Sequence, residues 1–134
     1  MTKKHLHVVC AVIEKENKIY CVQRGSKGEC AYKWEFPGGK VEPGETNEEA
    51  LIREIKEELD CSININKHFI TVEHEYNTFF VTLHVYLCSL LDKDPTLIEH
   101  HASIWQDKDK LRELDFAEAD YKFIDKLSVK RTKI

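Results

Sequence analysis

The 134-residue chain has no excess of positive charge and no long apolar run. It carries 20 Lys and Arg against 24 Asp and Glu, a formal net charge of −4, so its average field would repel a phosphate backbone. No stretch approaches the about 18 consecutive apolar residues of a membrane span. These absences argue against a protein that coats nucleic acid or crosses a membrane. A small anionic substrate remains compatible, provided that local cations or a metal hold it.

The sequence also lacks a CxxC motif and an N-terminal signal peptide. The first apolar run is interrupted by His5 and His7 and has no small-residue cleavage pattern after it. We therefore expect a cytoplasmic protein with buried, reduced thiols rather than disulfides or a zinc site. The five cysteines are Cys10, Cys21, Cys30, Cys61 and Cys88.

No internal repeat, low-complexity segment or linker divides the chain, which predicts a single domain over residues 1–134. The pattern predicts an α/β fold in which a mixed sheet and two main helices form a sandwich. The tail, 129–134, is expected to fray. Predicted strands cover 5–13, 19–24, 34–36, 63–76, 78–90 and 103–106. The predicted helices are 46–60 and an amphipathic segment, FAEADYKFIDKLSV, with Ala119, Phe123, Ile124 and Leu127 facing inward.

The first helix has clear start and end signals. Thr46 can cap its N-terminus, and Glu49 three residues later completes a capping box. Leu51, Ile55 and Leu59, together with Ile52, form the apolar stripe that would face the core. The helix therefore has a defined orientation, and its other residues are free to serve another purpose.

Three carboxylates lie off that stripe, at spacings i, i+3 and i+4: Glu54, Glu57 and Glu58. Like charges at these spacings destabilise a helix by roughly 0.2–0.5 kcal/mol per pair. A divalent cation would neutralise them, and Mg²⁺ prefers oxygen ligands and keeps positions for water or phosphate. For three acids alone, a solvated face balanced by Arg53 and Lys56 is the simpler interpretation.

The surrounding residues favour the metal site. From Gly39 to Cys61 the chain reads G-x5-E-x7-R-E-I-x-E-E-x-D-C, which resembles the Nudix box G-x5-E-x7-R-E-U-x-E-E-x-G-U, where U is aliphatic. Asp60 replaces the family's glycine at a left-handed helix end, at a cost of about 1 kcal/mol, and neither it nor Cys61 removes a ligand. The matching positions are Gly39, Glu45, Arg53, Glu54, Ile55, Glu57 and Glu58.

This resemblance implies a Nudix-type α/β/α sandwich that cleaves a diphosphate linked to another moiety, using Mg²⁺ or Mn²⁺. Glu54 is implied as a metal ligand or as the base that activates water. Arg53 would hold the carboxylates in place together with Glu45. The further implied metal ligands are Glu57, Glu58 and the Gly38 carbonyl.

The chain resembles most closely the MutT-like nucleoside-triphosphate pyrophosphohydrolases, on the stretch VQRGSKGECAYKWEFPGGKVEPGET. By this resemblance Arg24 and Phe36 would lie near the base or sugar, and Lys40 would contact phosphate. By composition alone, Phe36 fits the core better. A solvated turn lysine is an equally good interpretation of Lys40.

Two residues further along the chain complete the implied site. Glu99, six residues before Trp105, matches a loop glutamate that joins the metal or acts as base, although loop glutamates are commonly just solvated. Asp120 matches a residue that hydrogen-bonds the base, and the competing interpretation is a first-turn acid favoured by the helix dipole. The neighbouring His100 and His101 could suggest a metal pair, but adjacent histidines in a polar loop are more often bystanders, and we interpret them so. Ionised, Asp120 would accept from cytosine's amino edge or guanine's Watson–Crick edge; protonated, it could also donate.

The expected reaction is attack of water on a nucleoside triphosphate, which releases monophosphate and pyrophosphate. It would sanitise the nucleotide pool by removing oxidised dGTP, or hydrolyse CTP-like nucleotides, in a monomer or homodimer. Alternatives are hydrolysis of ADP-ribose or a dinucleoside polyphosphate, and a non-catalytic nucleotide-binding module. Members that hydrolyse ADP-ribose tend to carry a proline about fifteen residues after the box, and none of the three prolines here, Pro37, Pro43 and Pro95, stands there, which counts against that group. Binding modules commonly lose box glutamates, and this chain keeps all four.

Overall fold

The computed structural model describes residues 3–128, and the predicted frayed tail lies outside them. Its helices are α1 (Asn47–Leu59) and α2 (Ile124–Ser128), with 3-10 helices at Lys108–Glu113 and Glu118–Lys122. The strands are β1 (Lys4–Lys15), β2 (Lys18–Gln23), β3 (Trp34–Glu35), β4 (Gly38–Lys40), β5 (Ile63–Glu75), β6 (Phe79–Leu90) and β7 (Ala102–Asp107).

The strands form one mixed sheet in which β1 is central. The order is β3-β2-β1-β6-β5, with β4 also paired to β1 and β7 to β2. Only the β1–β6 pair is parallel among the described strands. Beside β1, β4 pairs with Val8–Cys10 whereas β2 pairs with Glu14 and Lys15. The sheet therefore opens on this side of β1, and the chain between β2 and β4 crosses that opening.

Two apolar cores lie on opposite faces of the sheet. Leu51, Ile55 and Leu59 of α1 are buried with alternate β1 residues, including Val9 and Ile13. The second core contains the C-terminal segment and the other set of sheet side chains. Strand β6 divides its residues between the two cores, as its alternation predicts. The predicted α/β/α sandwich is confirmed.

The ends of α1 also form as predicted, because both depend on local interactions. The Glu49 amide donates to Thr46 Oγ1 at 3.1 Å, and the Thr46 amide donates to Glu49 Oε1 at 2.9 Å. Asp60 ends the helix in the left-handed region, with φ 49° and ψ 44°. Ile52 was wrongly assigned to the apolar stripe, since it is 48% exposed.

The predicted second helix is not continuous. A 3-10 turn over Glu118–Lys122 is followed at Phe123 by a break with φ −138°, and only then by α2. We attribute this to a long-range contact, because Trp34 of β3 hydrogen-bonds to the backbone of residues 115–117, just before the 3-10 turn. The Trp34 amide donates to Asp115 O, and the Ala117 amide donates to Trp34 O. The four inward residues are nevertheless all buried, as predicted.

Four of the five cysteines are buried, and Cys30 is half-buried. Burial raises the pKa of the Cys21 thiol, and it raises that of Cys88 to about 12, so both are poor nucleophiles. Within residues 3–128, no helix has the length and apolar character required to span a membrane.

Candidate active site

Two adjacent glycines bring β4 close to both β1 and α1. Although a Gly-Gly pair is typical of a turn, Gly38 and Gly39 pair with Cys10 and Val9 in the sheet. A Cβ at Gly38 would overlap the Val9 carbonyl, and a Cβ at Gly39 would overlap the Glu54 carboxylate. The glycine pair therefore allows the helix carboxylate to lie directly against the strand.

Arg53 gathers the surrounding acids. Its Nε and Nη2 donate to the two Glu45 oxygens at 2.6 and 2.9 Å, a bidentate pair. Its Nη1 donates to Glu54 and Glu57 at 3.2 Å each, and Nη2 reaches the Lys40 carbonyl at 3.2 Å. These hydrogen bonds hold the pKa of Glu45 at about 2. Arg53 thus links α1, the loop that precedes it and β4.

We expect Arg53→Lys to lower the free energy of unfolding by about 1–3 kcal/mol, because an ammonium cannot reproduce the bidentate pair and reach two further carboxylates. Urea denaturation without metal measures the change. Arg112→Lys is the matched control: Arg112 forms the same bidentate pair with Asp125, at 2.7 and 2.8 Å, but both side chains are about 60% exposed. The control should lose less than about 1 kcal/mol, and equal losses would contradict the role of Arg53.

Glu54 and Glu58 are sheltered from solvent, with side chains 14% and 19% exposed. Burial raises the pKa of both, and for Glu58 the neighbouring carboxylates of Glu54, Glu35 and Glu99 help to raise the pKa to about 8. Glu58 Oε1 is buried and has no hydrogen-bond partner among the described residues. Glu57 differs, since it is 58% exposed and bound to Arg53. The three acids are therefore not equivalent.

These residues fit a divalent cation in their chemistry. Crowded carboxylates, an orphaned buried oxygen and a space cleared by Gly39 are what a hard ion with oxygen ligands requires. Within the described residues, no three histidine, cysteine or acidic side chains already surround one point. A cation would have to draw the carboxylates together.

A cavity of about 590 Å³ lies beside these acids. Its apolar wall includes Val81 and Leu83 of β6, and its polar wall includes most of the predicted site. Of the predicted residues, Arg53, Glu54 and Glu57 are not part of the described wall. The predicted residues that do line it are Arg24, Phe36, Gly38, Lys40, Glu58, Glu99 and Asp120.

The predicted substrate residues differ in their surroundings. Phe36 is buried and stacks on Phe116 at 5.2 Å between ring centroids, so it belongs to the core while one part of it faces the cavity. Arg24 Nη1 lies 3.3 Å from Glu35 Oε1. Lys40 is exposed at the end of β4 rather than in a turn. These three positions together place aromatic and cationic groups on the same cavity.

Asp120 is buried, with 4% of its surface exposed. It lies in the first turn of the 3-10 helix Glu118–Lys122, as the competing interpretation has it, but in a buried setting. Burial and the charge of Glu35 raise the pKa of this carboxyl well above its usual range. A neutral carboxyl at this place in the cavity wall can donate one hydrogen bond and accept another.

The raised pKa of Asp120 predicts a pH-dependent penalty on stability. Above the unfolded pKa of about 3.9, the folded state binds one more proton than the unfolded state, so stability falls as the pH rises. Asp120→Asn has no such proton. Between pH 5 and 7 the wild type should therefore lose stability relative to this variant, with a slope no steeper than about 1.4 kcal/mol per pH unit. Urea denaturation at both pH values tests this, and a pH-independent difference would contradict it.

Three cavity residues were missed by the sequence analysis or interpreted as bystanders. Glu35 and Cys30 line the cavity, and so does His100. Glu35 carried no distinguishing signal, since a polar residue between Trp34 and Phe36 is the ordinary alternation of a strand. Cys30 and His100 lie in loops, and no sequence period points to them.

Comparison with known proteins identifies the family. Residues 8–126 match the family model of the NUDIX domain. The chain is 33% identical over 125 residues to the 8-oxo-dGTP diphosphatase of Escherichia coli K12, covering 92% of this chain and 97% of that protein. It is 32% identical over 117 residues to the CTP pyrophosphohydrolase of the same organism, covering 87% of each.

Solved structures show the same relationship. The solution structure of the DNA mismatch repair protein MutT from methicillin resistant Staphylococcus aureus 252 is 44% identical, with a TM-score of 0.78 over 95% of this chain and 98% of that chain. A MutT protein from Methanosarcina mazei Go1, 24% identical, has a TM-score of 0.84 and shows the same fold. The box, the fold and these matches agree, and the chain belongs to the Nudix hydrolase family, among its MutT-like members.

Proposed function

We propose that this enzyme hydrolyses nucleoside triphosphates to nucleoside monophosphate and pyrophosphate with Mg²⁺ or Mn²⁺. One observation carries the proposal: a single cavity is lined both by the buried carboxyl of Asp120 and by the metal-type carboxylate of Glu58. The Asp120 carboxyl can hydrogen-bond to a nucleobase, and the Glu58 carboxylate can bind a cation that in turn binds phosphate. The names of the two Escherichia coli relatives support nucleoside triphosphates as the substrate class.

On the phosphate side, the residues that would hold the cation are Gly38 through its carbonyl, Glu54, Glu57, Glu58 and Glu99. A bound divalent cation would polarise phosphoryl oxygens and lower the pKa of a coordinated water. Glu54 and Glu99 are the two candidates for taking the proton from the attacking water. Arg53 acts as a positioning residue, since it fixes Glu54 and Glu57. Lys40 would contact phosphate at the exposed end of β4.

On the nucleoside side, Asp120 provides the selective contact. Its neutral carboxyl offers one donor and one acceptor, which match N3 and the amino group of cytosine, or O6 and N1–H of guanine and its oxidised form. Arg24 and Phe36 would contact base or sugar. Both expected substrate classes, oxidised dGTP and CTP-like nucleotides, fit this edge, so pool sanitising in the cytoplasm remains the proposed role.

The test is a panel of ribo- and deoxyribonucleoside triphosphates, including oxidised and methylated bases, assayed with Mg²⁺ for pyrophosphate release. We expect a monophosphate and pyrophosphate from a guanine- or cytosine-type nucleotide. ADP-ribose and a dinucleoside polyphosphate are included as competing substrates. Faster turnover of either one, or release of orthophosphate instead of pyrophosphate, would overturn the proposal.

A further inference from the structure

The two adjacent histidines of the loop before β7 have different surroundings. His101 is exposed, packs edge-on against Tyr32 at 5.3 Å, and its amide donates to Gln23 O. The side chain of His100 is only 10% exposed and lines the cavity. The interpretation of both as bystanders therefore fits His101 alone.

The imidazole of His100 lies between two carboxylates without a hydrogen bond to either. Its Nε2 is 3.7 Å from Glu35 Oε2 and 3.8 Å from Glu58 Oε1, both longer than a hydrogen bond. Its Nδ1 is buried and has no partner among residues 3–128. The Glu58 oxygen nearest to Nε2 is the same orphaned Oε1. His100 Nε2 thus faces the orphaned Glu58 oxygen across a gap, and the other ring nitrogen, Nδ1, is buried without a partner among the described residues.

We propose that His100 provides a nitrogen ligand, through Nε2, to the divalent cation that Glu58 binds. The inference rests on the metal role in the proposed function. Ligands on adjacent positions of an octahedral ion lie about 3 Å apart when each bond is about 2.1 Å. The observed 3.8 Å therefore needs to close by less than about 1 Å, which rotation of either side chain supplies.

A mixed nitrogen and oxygen site has a consequence for metal choice. Mg²⁺ takes oxygen ligands almost exclusively, whereas Mn²⁺ and later first-row ions accept imidazole. The affinity of this site for Mn²⁺ should therefore be higher than the affinity of a site built from carboxylates alone. Loss of the imidazole should weaken Mn²⁺ binding on the order of tenfold and change Mg²⁺ binding much less.

The experiment uses Mn²⁺ alone with the full chain, without nucleotide. Electron paramagnetic resonance counts the bound Mn²⁺, and electron spin echo modulation detects ¹⁴N bonded to it. We expect nitrogen modulation in the wild type, its replacement by a ¹⁵N pattern when histidine is ¹⁵N-labelled, and its loss in His100→Gln. His101→Gln is the matched control and should keep the signal. His100→Asn is a second variant, and thermal melting confirms that each variant is folded.

Each outcome of this experiment either supports or overturns the role of His100 as a ligand. Mn²⁺ that binds stoichiometrically with no nitrogen modulation in the wild type would overturn the role of His100 and leave the proposed carboxylate site standing. Modulation that persists in a folded His100→Gln variant would overturn it as well. Failure of Mn²⁺ to bind would remove the metal from the proposed function, and this inference with it. The wild-type and ¹⁵N measurements remain decisive even if both substitutions at position 100 prevent folding.

Discussion

Replacing Glu58 by glutamine is expected to reduce metal-dependent release of pyrophosphate by about a thousandfold. The carboxylate is the one whose oxygen is buried and unsatisfied, and it lines the cavity in which the phosphates would lie. An amide has nearly the same shape but carries no charge for a divalent ion. The effect should appear as weaker metal binding and a lower kcat, measured by pyrophosphate release over a range of Mg²⁺ concentrations.

The same substitution should not damage the fold. The carboxylate stands close to Glu54, Glu35 and Glu99, whose charges oppose its ionisation, so without metal a neutral amide relieves repulsion. The melting temperature of the metal-free variant should equal or exceed that of the wild type. Glu48→Gln, an exposed acid in the first turn of the same helix, is the control and should keep full activity. Normal turnover by Glu58→Gln, or its loss together with the fold, would refute the assignment.

Interactions close in sequence explain which parts of the fold could be predicted. The capping box needs only Thr46 and Glu49, and the left-handed Asp60 needs only a residue that tolerates positive φ. The alternation of β6 could likewise be predicted, because successive side chains of a strand point to opposite faces of the sheet and each face carries its own core. By contrast, the second helix was predicted from correct apolar spacing, and the backbone pairing of Trp34 with residues 115–117 broke it. No local pattern could reveal that pairing.

The candidate site divides in the same way. Glu54 and Glu58 were identifiable because they occur at fixed spacings within one helix. Glu35 and His100 come from distant segments, β3 and the loop before β7, and only the folded chain brings them within 3.7 Å. The sequence also could not rank the three box acids, since the difference between exposed Glu57 and sheltered Glu58 depends on how Arg53 and the cavity wall are arranged.

Alanine at Gly38 and alanine at Gly39 should give opposite results, although the two residues are neighbours. At Gly38 the added Cβ meets backbone atoms of Val9 and Cys10, which cannot move without separating β4 from β1. We expect a loss of about 3 kcal/mol in the free energy of unfolding. At Gly39 the three atoms nearest to the added Cβ all belong to the end of the Glu54 side chain, which can rotate away. There we expect a change within about 1 kcal/mol, because alanine also lowers the entropy of the unfolded chain.

We expect that rotation to weaken metal binding rather than folding stability. Once the Glu54 carboxylate leaves the strand, it no longer stands beside Glu58, and Mn²⁺ affinity should fall on the order of tenfold or more in Gly39→Ala. Urea denaturation without metal and Mn²⁺ titration, applied to both variants, separate the two effects. Equal loss of stability in both variants would show that the glycines serve only strand packing. Unchanged Mn²⁺ affinity in Gly39→Ala would show that the contact between β4 and Glu54 does not shape the cation site.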